Sequence, residues 1–196
     1  MYIKKLIYLG LFIYFPLTSC SQKNNTTSPI AENKKQATPQ EKVTSNPANK
    51  TGWLINYEDV YNQSVEQNKP IMANFTGSDW CGWCKKLKKA VFDTETFKKW
   101  AEQNVILFEL DYPRRTPQDS NIKQQNANLQ RTFGQLVRGF PTVLIFDIER
   151  VLQEDGSKSQ DNIKIIGQRM GYMADPVSFI NVAETNLKNR QKSQYS

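Results

Sequence analysis

Cys81 and Cys84 stand three positions apart in the run Phe75-Thr76-Gly77-Ser78-Asp79-Trp80-Cys81-Gly82-Trp83-Cys84-Lys85. Two thiols at that spacing can close a small disulfide and reopen it, provided that the backbone presents both on one helical turn. The chemistry would be exchange between this dithiol and another disulfide. Such exchange needs a thiolate, and a helix N-terminus favours negative charge. Cys81, the first of the pair, is therefore expected to ionise more readily than Cys84.

The flanking residues supply the elements that this chemistry requires. Pro70-Ile71-Met72-Ala73-Asn74-Phe75 reads as a buried strand, and Lys85-Lys86-Leu87-Lys88-Lys89-Ala90-Val91 as a helix. Upstream, Leu54, Tyr57, Val60, Tyr61 and Val65 fall close to helical spacing, which predicts a helix over Trp53 to Asn68, before Pro70. Asp93 or Thr94 should cap a helix through Phe97, Trp100 and Ala101. Val105 to Leu110 reads as a second buried strand. Tyr112 to about Asn121 is rich in Pro, Arg and polar residues and reads as a surface insertion. Ile122 to Phe133 reads as a helix stopped at Gly134. Val143-Leu144-Ile145-Phe146 is a third core strand, Asp155-Gly156 a turn, and Ile163 to Gln168 a fourth strand, antiparallel to its neighbour. Asp175-Pro176 opens a last helix, Pro suiting its first position. The order α, β, α(+α), β, α, β, β, α defines an α/β sandwich with a mixed four-stranded sheet flanked by helices.

Three features together resemble the thioredoxin superfamily: Trp80-Cys81-Gly82-Trp83-Cys84-Lys85 at a strand-to-helix junction, Gly139-Phe140-Pro141-Thr142 before a core strand, and Gly171-Tyr172 after the last strand. The resemblance covers about Trp53 to Leu187. Phe75-Thr76-Gly77-Ser78 and Leu110-Asp111-Tyr112-Pro113-Arg114-Arg115 look more like the secreted thioredoxin-like disulfide-exchange proteins than like cytosolic thioredoxin. The resemblance implies that Cys81 attacks and forms a mixed disulfide, and that Cys84, expected to be the more buried, resolves it. It also implies that Pro141 is in cis and holds Phe140 against an extended substrate. Trp80 is expected to pack on the active-site loop and Trp83 to offer an aromatic surface to partners. No cofactor beyond the redox pair is implied.

One position departs from the family pattern. Thioredoxins commonly keep a buried Asp beneath the active-site helix, and the corresponding residue here is Asn74, which cannot ionise. Glu109, on the adjacent strand, is the candidate replacement, acting on Cys84 through a water; a half-exposed strand carboxylate is the plainer reading.

The third cysteine belongs to a different part of the chain. Lys4 and Lys5 precede an apolar run from Leu6 to Phe15, too short to remain as a spanning helix. Leu17-Thr18-Ser19-Cys20 resembles the lipobox of bacterial lipoproteins, which implies cleavage before Cys20 and lipidation of its thiol. Residues 1–19 then form the signal, 20–50 the anchor and a disordered polar tether, 51–190 the folded domain and 191–196 a polar tail. An exported, membrane-anchored protein facing the periplasm or cell exterior is expected.

Charge supports the same division. Of the net +7, the signal contributes +2 and residues 20–51 contribute +3, which leaves +2 for the remainder. The high pI is largely a property of the targeting segment and tether, so nucleic acid is not expected as a partner. Arg114-Arg115 and the lysines between 85 and 89 read as solvated surface. The expected partners are protein thiols or disulfides, a membrane redox protein, and the bilayer through Cys20. Zinc is disfavoured because structural sites usually take four Cys or His ligands and the chain has no His. Haem attachment needs His after the second Cys, where Lys85 stands. The leading reading is an extracytoplasmic thiol-disulfide oxidoreductase. A binding protein of the same fold with a structural, non-catalytic disulfide is the alternative.

Overall fold

The computed structural model describes residues 52–194. The expected signal, Cys20 with its lipid, and the tether lie outside the described residues. Strand β1 (Ile71–Thr76) is buried at every position. It lies between β2 (Ile106–Asp111), its parallel partner, and β3 (Thr142–Leu152), which is antiparallel. An antiparallel β4 (Lys158–Ile165) completes the sheet in the order β2-β1-β3-β4. A central strand covered on both faces must be apolar throughout, and Ile71-Met72-Ala73-Asn74-Phe75 meets that demand except at Asn74.

Helices cover the two faces. On one, α1 (Tyr57–Gln67) contributes Val60, and α4 (Ser120–Phe133) contributes Leu129 and Phe133; these pack on Ala73, Phe75, Phe108 and Leu144. On the other lie α2 (Gly82–Leu87), a π-helical turn (Lys88–Phe92), α3 (Glu95–Asn104) and α5 (Pro176–Gln194). Leu87, Val91, Phe92, Phe97 and Phe179 pack there against Met72 and Ile145. The wider π turn lets the adjacent Val91 and Phe92 both face the core.

Local chemistry explains most element ends. The Asn56 side chain accepts from the backbone N–H of Glu58 and Asp59, and Thr94, rather than Asp93, caps α3 through Phe97 N–H. Asp119 caps α4, whose first residue, Ser120, lies two before the expected start at Ile122. Asp175 accepts from Ser178 N–H and Pro176 opens α5.

Three expectations are corrected. The first helix starts at Tyr57, not Trp53, because Leu54 bridges to Phe108 and exchanges backbone hydrogen bonds with Leu107 and Glu109. Tyr57, Val60, Tyr61 and Val65 do lie on α1, and Leu54 shares their spacing without being part of the helix. Strand β4 begins at Lys158 and ends at Ile165, and Gly167 then turns the chain at positive φ. Beyond Ile148 the β3–β4 hairpin leaves the sheet body, so no apolar alternation marks it. Arg150 anchors it instead, its guanidinium stacked 3.6 Å over Tyr61 and paired with Asp161 and Glu58. Finally, α5 continues to Gln194, past the boundary expected at Arg190.

Candidate active site

Strand β1 ends at Thr76, and α2 begins six residues later. The intervening turn must reverse into the helix, and it does so through Gly77, whose carbonyl accepts from the N–H of both Trp80 and Cys81. Gly77 is required for a second reason: a Cβ there would run into the Trp80 indole. The turn delivers Cys81 to the N-cap position of α2. Its sulfur accepts the Cys84 N–H at 3.2 Å, one of the donors that a helix start leaves without an intrahelical partner. The two sulfurs are bonded to each other, with their Cα atoms 5.3 Å apart.

The expected difference in burial between the two cysteines is not observed. Each residue is 5% exposed. What separates them is position: Cys81 caps the helix, whereas Cys84 lies inside its first turn. A thiolate on Cys81 would meet an N–H donor and the positive helix end together, both favouring ionisation.

Aromatic rings frame the pair. Trp80 donates its indole N–H to the Tyr112 carbonyl at 2.9 Å, and its ring lies 5.8 Å from that of Phe140. Phe140 also stacks on Tyr112. The Phe140–Pro141 bond is cis, and Val143 just beyond it pairs with Met170. This pairing brings Gly171 beside the Pro141 carbonyl and sets Tyr172 against Trp83, ring centres 4.9 Å apart. Trp83 is 55% exposed. Gly82 opens α2 with open space where a side chain would be. Thus Trp80, Trp83, Phe140 and Pro141 all gather at the mouth of α2.

Glu109 lies beneath rather than at the mouth. It pairs in register with Asn74 across β1 and β2. Strand alternation places both on the same side as Met72 and Leu107, the side covered by α2. Asn74 is buried, and its Oδ1 has no hydrogen-bond partner among the described residues. Burial pushes the Glu109 carboxyl above its ordinary range; the Asp111 charge adds to this and Lys88 opposes it.

The sequence reading missed how the residues from Tyr112 to Thr116 are used. They are not a free insertion but the wall of the active-site turn. The Asp79 carboxylate accepts the backbone N–H groups of Arg114, Arg115 and Thr116. Asp111 accepts the Ser78 N–H at 2.8 Å and its hydroxyl at 2.6 Å. Arg114 then folds over the Trp80 ring at 3.8 Å. Two acids, Asp79 and Asp111, each reach across to the other segment; acids beside turn residues in both stretches were the available signal.

The described residues adopt a thioredoxin-like fold. Residues 52–147 match the family described as thioredoxin-like. Among curated proteins, it is 33% identical over 93 residues to the disulfide bond reductase DsbH of Chlamydia pneumoniae, covering 47% of this chain and 55% of that protein. It is 28% identical over 132 residues to the thioredoxin-related protein DsbJ of the same organism, covering 67% of this chain and 37% of that one. The chain therefore spans about half the length of the first relative and little more than a third of the second. A solved structure described as DsbH oxidoreductase superposes with a TM-score of 0.54 at 26% identity, over 69% of this chain and 83% of that one.

The Asp79 clasp gives a pH prediction. The Arg114 N–H first, with those of Arg115 and Thr116, pulls the Asp79 carboxyl down to about 2. A depressed carboxyl supports structure above its unfolded value and loses that support as pH falls through its folded value. The amide resonances of Arg114 to Thr116 should therefore hold at pH 4 and titrate with a midpoint near 2. In Asp79→Ala they should already sit at disordered positions at neutral pH.

Proposed function

We propose that this chain is an extracytoplasmic thiol-disulfide oxidoreductase acting on proteins, and that it works mainly as a reductase. The observation that carries the reading is the Cys81–Cys84 bond at the N-cap of α2, beside the Phe140–Pro141 loop. The reductase direction draws on the name of its DsbH relative. In the reduced state the Cys81 thiolate attacks a substrate disulfide. A bond forms between Cys81 and one substrate sulfur while the other leaves as thiolate. Cys84 then loses its proton, attacks the Cys81 sulfur and releases the reduced substrate. An external donor, in our reading a membrane redox protein, returns the two electrons. Phe140 and the exposed Trp83 would border the path of an extended substrate segment.

Insulin reduction by dithiothreitol tests this directly. The purified protein should accelerate precipitation of the insulin B chain, and Cys81→Ser should abolish the acceleration. A pair that stays bonded in dithiothreitol while the protein remains folded would leave only the structural-disulfide alternative.

We also assign Glu109 as the group that receives the Cys84 proton through a water. Its support is the shared face with Asn74 and the upward displacement of its carboxyl, which brings it nearer the pH at which a thiol must be deprotonated. Glu109→Gln should slow resolution of a Cys81 mixed disulfide by about 100-fold, the lower range for general acid–base assistance. The sign for stability is opposite. A carboxyl raised in the folded state favours folding below its unfolded value, and that contribution is lost as pH rises through its folded value. Near neutrality the variant should be at least as stable as the parent in urea. A slow but stable variant separates a proton role from a structural one; an unchanged resolution rate removes Glu109 from the mechanism.

The anchor is proposed on Leu17-Thr18-Ser19-Cys20 and the polar segment after it. Cleavage before Cys20 and lipidation of its thiol would hold the domain at a membrane surface outside the cytoplasm. In a bacterial host, Cys20→Ser should shift the protein from the membrane fraction to soluble or unprocessed forms. Mass spectrometry of the parent should find acyl chains on Cys20; an unmodified thiol there would refute the anchor.

A further inference from the structure

Both tryptophans beside the cysteines carry a cation on the ring. Arg114 lies over Trp80 at 3.8 Å, and the Lys86 ammonium over Trp83 at 4.3 Å. Each tryptophan directly precedes one of the cysteines, and the rings pack on different partners, one against Phe140, the other against Tyr172. Lys85 adds a third cation, its ammonium 3.3 Å from the Asp79 carbonyl oxygen. The carboxylates of this surface are engaged from inside: Asp79 by three backbone N–H groups, Asp111 by Ser78. Three cations against these two acids leave the rim positive.

The placement of the two ring-bound cations matters more than their number. A free surface Lys or Arg sweeps a wide volume and acts weakly on any one point. Stacking on an indole holds each head group in place. Fixed charges next to the reacting sulfur act on the disulfide as it arrives, and on the thiolate that leaves.

We propose that this rim selects acidic substrates: disulfides in polypeptide segments with Asp or Glu beside the cystine. The proposal rests on the exchange reading above. The chemical step is the one described there: a new Cys81–substrate bond, departure of one substrate thiolate, then attack by Cys84 to release the other. Two electrons pass from the dithiol to the substrate. The rim lowers the cost of bringing an anionic disulfide to a thiolate, which otherwise repels it.

Two small disulfides of opposite charge test this. The full-length chain in a neutral detergent is reduced with dithiothreitol, desalted, and mixed with glutathione disulfide (anionic) or cystamine (cationic). Acid quenching, alkylation and mass measurement then follow loss of the dithiol. Each rate constant is divided by that of 2-mercaptoethanol with the same disulfide, which removes leaving-group differences. The normalised glutathione-to-cystamine ratio should be about tenfold or more at about 0.01 M ionic strength, and fall toward one at about 1 M, where screening shrinks to about 3 Å. Lys86→Glu, on the exposed side of α2, should lower the low-salt ratio by about threefold or more, and Arg114→Gln should act in the same direction. A ratio at or below one, or one indifferent to salt and to Lys86→Glu, overturns the inference alone. Oxidation by neither disulfide overturns the exchange reading and the inference with it.

Discussion

Strand β1 is enclosed on both faces, yet its chain must emerge and enter a helix within six residues. That handover is the constraint on which the site depends. The turn closes through the Gly77 carbonyl, and the sulfur of Cys81 arrives where α2 has an N–H to offer. A covalent bond, a hydrogen bond and a helix end converge on one atom. Each would be lost if the turn relaxed by a residue. The burial of Leu87 and Val91 beneath the helix fixes the angle at which it leaves the sheet. The core therefore sets the chemistry through geometry.

The turn is held from outside as well. Asp79 and Asp111 reciprocally bind two segments more than thirty residues apart in sequence, and the parallel pairing of β1 with β2 brings those segments to the same edge. Parallel strands end on the same side, so the residues following each must be neighbours. An acid in either loop can then satisfy backbone donors of the other. This explains why a stretch rich in Pro and Arg is ordered beside the cysteines. Its backbone donors would otherwise face water, and its side chains would have no fixed position relative to the indoles.

Much of this was legible from the residues. The Cys-x-x-Cys between a strand pattern and a helix pattern located the site, and Gly139 to Thr142 located its neighbour. Continuous apolar runs identified β1, β2 and the inner half of β3. The outer hairpin could not be read this way, because the Arg150 side chain with Asp161 and Glu58 substitutes for an apolar face. Leu54 misled for a related reason: a single bridge to Phe108 leaves no period to detect. Arg114 and Lys86 looked like ordinary surface charge since their significance lies in what they rest on. The Trp80 ring, thirty-odd residues from Arg114, cannot be seen in a local pattern, although Trp83, three residues from Lys86, falls within one.

The position of Glu109 follows from the same pairing. Register sets Asn74 opposite Glu109, so moving a carboxylate from β1 to β2 carries it sideways by one strand without taking it off the face beneath α2. Strand spacing is about 5 Å, a distance that one water can span with two hydrogen bonds. On the central strand a carboxylate would be enclosed on every side. On β2, the edge strand of the described sheet, Glu109 keeps partial access to solvent and to the Lys88 charge. Burial still raises its carboxyl, but Lys88 limits the rise. In the role proposed for it, Glu109 on the edge strand would exchange its proton with bulk water, whereas a carboxyl beneath the centre would pass it back through the site.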